Sequence, residues 1–179
     1  IIQNFTCMNK KLIGLFSLLL CSTLLFGQLP EAGKYYRIIA KHSGKALDVR
    51  GGIKSKANGI MVQQFDANGG DNQAFRFVDE GNAYYRIIAK HSGKALDVQG
   101  GEAAKENAVI IQQWDANGGD NQLFKLADQG NGYFRIIAKH SGKALDIQGG
   151  EGAKENFTPV QQWDANGGDN QLFKLVSYP

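Results

Sequence analysis

Three histidines, His42, His91 and His140, recur every 49 residues, each inside a Lys-His-Ser-Gly stretch. Histidine is the commonest metal ligand and a ready acid–base group, but each occurrence here is a single His in a turn. Three equivalent turns do not converge on one ion, so these read as turn residues. The run Asp-Ala-Asn-Gly-Gly-Asp-Asn at residues 66–72, 115–121 and 164–170 has the oxygen donors of a calcium loop. An EF-hand loop sets its acidic or amide ligands ahead of the glycine that makes the sharp turn. Here Gly and Asp are exchanged, so neither calcium nor any other cofactor is expected. Three more sets keep the same step: the carboxylates Asp48, Asp97 and Asp146, the amides Gln63, Gln112 and Gln161, and the aromatics Phe65, Trp114 and Trp163 two residues further on. What such groups can do depends on the elements that gather them.

Those elements are repeats. Residues 112–124 and 161–173 are identical, Gln-Gln-Trp-Asp-Ala-Asn-Gly-Gly-Asp-Asn-Gln-Leu-Phe, and the copy at 63–75 differs only in Phe65 and Ala74. Residues 84–126 and 133–175 agree at 36 of 43 positions without a gap, so the 49-residue period must be explained before any local motif. A unit of this size buries its apolar face only against its copies.

The 179 residues suit one domain with an extension, since domains usually run about 100–150 residues. The division expected is 1–27 as upstream residues plus a signal peptide, 28–34 as a short linker, and 35–179 as one domain of repeats 35–83, 84–132 and 133–179. Met8 opens a segment in which Lys10 and Lys11 precede an apolar run over 12–27, the order of a secretory leader. That run is shorter than the roughly 20 residues of a membrane span. Cleavage is expected after Gly27, with secretion and no stable membrane span afterwards. Residues 1–7 read as sequence upstream of the initiator. Both cysteines, Cys7 and Cys21, fall in this segment, which leaves the body without disulfides or thiolate metal sites. Lys and Arg total 20 against 17 Asp and Glu, mixed in sign along each repeat, so no basic stripe tracks phosphates and nucleic acid is not an expected partner.

Each unit opens on an aromatic and β-branched run at residues 35–40, 84–89 and 133–138, which predicts a strand. A Lys-His-Ser-Gly turn leads to a second strand at 45–49, and the two read as a hairpin. A Gly-Gly to Asn-Gly loop follows, then a third strand at 61–65, the Asp-Ala-Asn-Gly-Gly-Asp-Asn loop, and a fourth strand at 73–78. No helical window appears. About twelve short strands in three units predict an all-β, closed architecture with pseudo-three-fold symmetry, the β-trefoil.

At Gln73-Ala74-Phe75, Gln122-Leu123-Phe124 and Gln171-Leu172-Phe173, together with Ala-Leu-Asp-Val and Gln-Gln-Trp-Asp in the same order and spacing, the body resembles the ricin-B-type β-trefoil lectins. Their subdomains end in Gln-any-Trp; Phe stands for Trp here in all three, which touches core packing rather than fold. The resemblance implies one shallow sugar pocket per unit. It makes Asp48, Asp97 and Asp146 the acceptor carboxylates, and it lines the pockets with Gln63, Gln112 and Gln161. It supplies stacking from Phe65, Trp114 and Trp163. It adds the pairs Asn72 and Gln73, Asn121 and Gln122, Asn170 and Gln171.

These residue types suit a pyranose, which offers hydroxyls at its rim and C–H groups on one face. A carboxylate accepts from two adjacent hydroxyls in charge-assisted bonds, and amides both donate and accept. The plain alternatives are an Asp closing a strand, an Asn holding a turn, and Trp114 and Trp163 in the core. The expected function is a secreted carbohydrate-binding lectin or module with glycans as partners, for galactose-type or xylose-containing glycans by resemblance. A glycoside hydrolase, or an accessory domain separated from one, is the first alternative. Hydrolases need two carboxylates in one cleft about 5–10 Å apart, and each unit offers one, so no enzyme is expected. A non-sugar trefoil such as a protease inhibitor would carry one distinctive loop, whereas these loops repeat.

Overall fold

The computed structural model describes residues 28–179; the leader read over 1–27 lies outside the described residues. The aromatic and β-branched runs form β1 (Tyr35–Ala40), β5 (Tyr84–Ala89) and β9 (Phe134–Ala138), and the Ala-Leu-Asp runs form β2 (Ala46–Val49), β6 (Ala95–Val98) and β10 (Ala144–Ile147). The Gln-Gln runs become β3 (Ile60–Phe65), β7 (Val109–Trp114) and β11 (Thr158–Trp163), and the unit ends become β4 (Phe75–Asp79), β8 (Leu123–Asp128) and β12 (Phe173–Tyr178). All pairings are antiparallel. Among the described residues no helix is long and apolar enough to cross a membrane.

Six strands close a ring: β1 pairs with β4, β4 with β5, β5 with β8, β8 with β9, β9 with β12 and β12 with β1. The other six form the hairpins β2–β3, β6–β7 and β10–β11, and β3, β7 and β11 pair with one another in a triangle across one end. Among the described residues, closure leaves no long free edge for another chain to pair with.

Two local expectations change. β1 and β2 meet only at Ile39 and Ala46 instead of forming a hairpin, because a tight turn from Ala40 to Lys45 sends β2 out of the ring to pair with β3 over four positions. The fourth strand starts at Phe75 and not at Gln73, because Asp71–Gln73 close a 3-10 turn whose side chains point back at β2.

The ring strands turn Ile38, Ile87 and Ile136 inward, and the short strands β2, β6 and β10, buried along their whole length, add Leu47, Leu96 and Leu145 to the same core, where all six are fully buried. Phe75, Phe124 and Phe173 join them at 0 % exposure, so the ring that replaces the lectins' tryptophan is a core element. Each contributes about 1.5–3 kcal/mol by burial alone.

Polar pins hold the units to one another, and they account for the histidines. His42 Nε2 lies 2.9 Å from the Ala153 carbonyl, His91 Nε2 3.0 Å from Ser55, and His140 Nε2 3.0 Å from Ala104. Gln64, Gln113 and Gln162, the second glutamine of each pair, are fully buried. Each accepts from the turn serine (Ser43, Ser92 or Ser141) at 2.8 Å and donates to two carbonyls of another unit. Asn156, Asn58 and Asn107 cross the same seams to Asp66, Asp115 and Asp164, which also pair with Lys45, Lys94 and Lys143.

Candidate functional site

The end of β2 delivers the Asp48 carboxylate to a floor built by β3 and the 3-10 turn. Gln63 Nε2 donates to Oδ1 at 3.0 Å, and Asn72 Nδ2 and Gln73 Nε2 donate to Oδ2 at 2.7 and 2.9 Å. Asp97 is held by Gln112, Asn121 and Gln122 at 2.9, 2.8 and 2.9 Å. Asp146 is held by Gln161, Asn170 and Gln171 at 2.9, 2.7 and 2.9 Å. An ionised carboxylate has about four acceptor positions, and three are taken in every unit. That leaves one, on Oδ1, so the expectation of two hydroxyls bound to one carboxylate is reduced to one hydroxyl.

The carboxylates are nearly buried at 3–4 % exposure. Burial pushes Asp48 above its ordinary value, against the pull of the Gln73, Gln63 and Asn72 donors. The charge is tolerated because each oxygen keeps a donor.

The amides divide by depth. Gln63, Gln112 and Gln161 with Asn72, Asn121 and Asn170 line the pockets. Gln73, Gln122 and Gln171, read above as sugar contacts, instead lie beneath the floor at 0 % exposure. Gln73 Nε2 also donates to the Asp66 carbonyl at 2.9 Å, and its Oε1 accepts from the Asn68 amide at 3.0 Å; Gln122 and Gln171 repeat this. With these atoms engaged, the three glutamines position the carboxylate and the loop.

Trp114 and Trp163 end their strands at 39 % and 37 % exposure, which puts them in the pocket walls and not in the core. The second pocket, of about 460 Å³, is lined by Asp97, Gln99, Gln112, Trp114, Asn117 and Asn121, with Gly100 and Gly101. The third is of similar make, about 430 Å³. The first, around Asp48, Gln63, Phe65 and Asn72, is only about 200 Å³.

Sequence reasoning missed several lining groups. Asn68, Asn117 and Asn166 enter the pockets from the loop after the aromatic; their recurrence in every copy was the available signal. Gly70, Gly119 and Gly168 are needed for close approach, because a Cβ there would stand 2.5 Å from Oδ1 of Asn72, Asn121 or Asn170. Phe157 and Ala108 reach the first and third pockets from a different repeat, which no local motif reveals. Among the described residues no three His, Cys, Asp or Glu side chains gather as a metal site would require.

The family described as ricin-type beta-trefoil lectin domain-like matches residues 25–113 and 101–163. No curated protein matches the chain. Among solved structures, the designed three-fold symmetric protein ThreeFoil is 45 % identical, with a TM-score of 0.75 over 79 % of this chain and 97 % of its own. An exo-beta-1,3-galactanase from Clostridium thermocellum is 36 % identical, with a TM-score of 0.76 over 84 % of this chain; the match spans 31 % of the galactanase. A ricin B-like lectin from Macrolepiota procera, solved with lactose, has 21 % identity and a TM-score of 0.69 over 83 % of this chain and 99 % of its own, a likeness of fold. With the family match running across most of the body and a 45 % identical relative covered almost end to end, the chain belongs to the ricin-type β-trefoil lectin domain family.

Proposed function

We propose that this chain is a secreted, multivalent carbohydrate-binding module, a pseudo-three-fold trefoil of three 49-residue repeats with one shallow sugar pocket in each. The reading is carried by one arrangement: a carboxylate fixed by three amide donors with one acceptor position left, beside a half-exposed indole face. A hydroxyl donates to the free Oδ1 position, the neighbouring amides exchange bonds with the adjacent hydroxyls, and the C–H face of the ring lies on Trp114 or Trp163. The preferred class is galactose-type or xylose-containing glycans. Family membership and the 36 % identity to part of a galactanase support the galactose-type half of that choice.

Each pocket is lined by a single carboxylate, against the pair that glycoside hydrolysis uses, so the module binds without cleaving. Its 36 % identity to part of a galactanase favours a second reading on the same chemistry, a module that holds an enzyme at its polymer.

Shallow pockets bind single sugars weakly because association costs offset much of the contact energy. A rigid body with two or three of them gains about 10²–10⁴ in avidity on a polymer. The test compares Trp114→Ala, Trp163→Ala and Phe65→Ala by titration with galactose, lactose and xylose and by retention on immobilised galactan and xylan. On galactan, either Trp change is expected to cut retention far more than total monosaccharide binding, with Phe65→Ala mattering least. Equal losses from all three, or no sugar binding in the unmutated protein, would overturn the reading.

A further inference from the structure

The three pockets share their carboxylate floor and differ at two walls: the aromatic on the middle strand, Phe65 against Trp114 and Trp163, and a residue that comes from another repeat. The residue directly before each middle strand, Gly59, Ala108 or Phe157, has φ of 81°, 69° and 69°. Its amide donates to the carbonyl of Gln113, Gln162 or Gln64 in a neighbouring unit at 3.0 Å. That bond sets the Cα of each against the neighbour's pocket: Gly59 faces the second, and the Ala108 and Phe157 side chains line the third and the first. A Cβ on Gly59 would stand 3.8 Å from Trp114 Cζ3 and 3.9 Å from Gln112 Oε1, which are contact distances.

Pocket size falls in the order Gly59, Ala108, Phe157, and in the first pocket Phe65 in place of Trp alters the neighbouring wall as well. The volume is about 460 Å³ behind Gly59, about 430 Å³ behind Ala108 and about 200 Å³ behind Phe157. The glutamine beneath follows the same order, with Gln112 at 6 % exposure, Gln161 at 4 % and Gln63 at 2 %, and Oε1 of Gln161 and of Gln63 is buried without a partner. Phe157 is an unusual residue for its place, a bulky side chain in the left-handed region. It is 60 % exposed, with its ring edge-on to Phe65 at 5.0 Å and 71°. Phe65 offers a smaller stacking face than Trp, and Phe157 packs edge-on against it at the pocket's side.

We propose that Gly59, Ala108 and Phe157 are the specificity-determining walls of the pockets, and that Phe157 restricts the first pocket to a pentopyranose, while Gly59 and Ala108 admit a hexopyranose with its exocyclic hydroxymethyl group. This rests on the carbohydrate-binding reading above. The Phe157 ring packs against Phe65 and takes up room beside the stacking face, which leaves the first pocket space for a small ring and none for an extra CH2OH group. One module thereby presents two hexose pockets and one pentose pocket, suited to a glycan in which both ring types occur.

The test reads each pocket separately through its side-chain amide NMR signals: Gln63 and Asn72, Gln112 and Asn121, Gln161 and Asn170. The probes are galactose with L-arabinose, which keeps galactose's ring hydroxyls and lacks C6, and glucose with xylose, related in the same way. In the unmutated protein the hexose of the bound pair should shift the second and third pockets, and its pentose partner should be favoured at the first. Phe157→Gly, which relieves the left-handed conformation, should raise the hexose-to-pentose affinity ratio at the first pocket by about tenfold or more, and Gly59→Phe should lower it similarly at the second. A first pocket that takes the hexose as well as the second does, or a Phe157→Gly ratio unchanged while the second pocket still binds, overturns this inference alone. If no probe shifts any pocket in any variant, the carbohydrate reading itself is overturned. Phe157→Gly decides the matter if Gly59→Phe does not fold.

Discussion

Gln122→Leu removes a side chain that never touches the pocket, and the structure says it is nonetheless costly. Leucine matches glutamine closely in volume, so the change opens no cavity. It deletes the 2.9 Å bond to Asp97 Oδ2, the 3.0 Å bond to the Asp115 carbonyl and the 3.1 Å bond from the Asn117 amide. Loss of a hydrogen bond to a buried charge is worth about 1.5–3 kcal/mol, and an orphaned buried backbone group costs about 1–3 kcal/mol. Both backbone groups belong to exposed residues and recover some water, so the lower ends apply and the total is about 3–5 kcal/mol. For a domain of this size each kcal/mol moves Tm by about 2–4 °C, which places the shift near 10 °C. Calorimetry and urea unfolding followed by tryptophan fluorescence measure it. Sugar titration should find the second pocket weakened, since Asp97 is left with two donors, while the other two pockets are unchanged. Destabilisation under about 1 kcal/mol, against the typical range for a broken buried network, together with full binding at the second pocket would refute a supporting role for Gln122.

Asp97→Asn swaps a charged acceptor for an amide that must turn one donor toward Gln112 or Asn121, and sugar affinity at the second pocket should drop by about 1.5–3 kcal/mol by calorimetric titration. Stability should fall in acid. Lys45, Lys94 and Lys143 first, then Asn156, Asn58 and Asn107, hold the carboxyls of Asp66, Asp115 and Asp164 below their ordinary value. Their contribution is complete above the unfolded value of about 3.9 and is lost as pH falls through the folded values. His91 adds to this at milder acidity. Burial lowers its pKa, so the folded state favours the neutral ring, and stability declines as pH drops from about 6.5 through the lowered value. Asp48 works in the opposite direction, because its raised value makes protonation easier in the fold. Sugar binding at the first pocket should therefore weaken as pH falls through that value, which titration at a series of pH values records. Chelator treatment should leave glycan retention unchanged and aryl glycosides should not be cleaved; metal-dependent binding or turnover above background would reverse both expectations.

The repeat was legible in the sequence because its period is a property of spacing alone, and a unit too small to bury its own apolar face implies partners like itself. The strand runs were legible for the same local reason, since β-branched and aromatic alternation needs no knowledge of what it packs against. Resemblance to a known family brought Asp48, Gln63, Phe65 and Asn72 and their copies together on paper, and the fold places them in one pocket per unit. Depth was not legible. Asn72 and Gln73 are adjacent and chemically alike, yet the 3-10 turn aims one into the pocket and buries the other beneath it, a difference of backbone direction that composition does not carry. Nor was the pairing of β2 with β3, because a tight turn after Ala40 redirects the chain out of the ring. The walls were furthest from view: Phe157 lies 92 residues from Phe65 in the chain and 5.0 Å from it in space. Only closure of β3, β7 and β11 against one another brings a loop of one repeat over the pocket of the next.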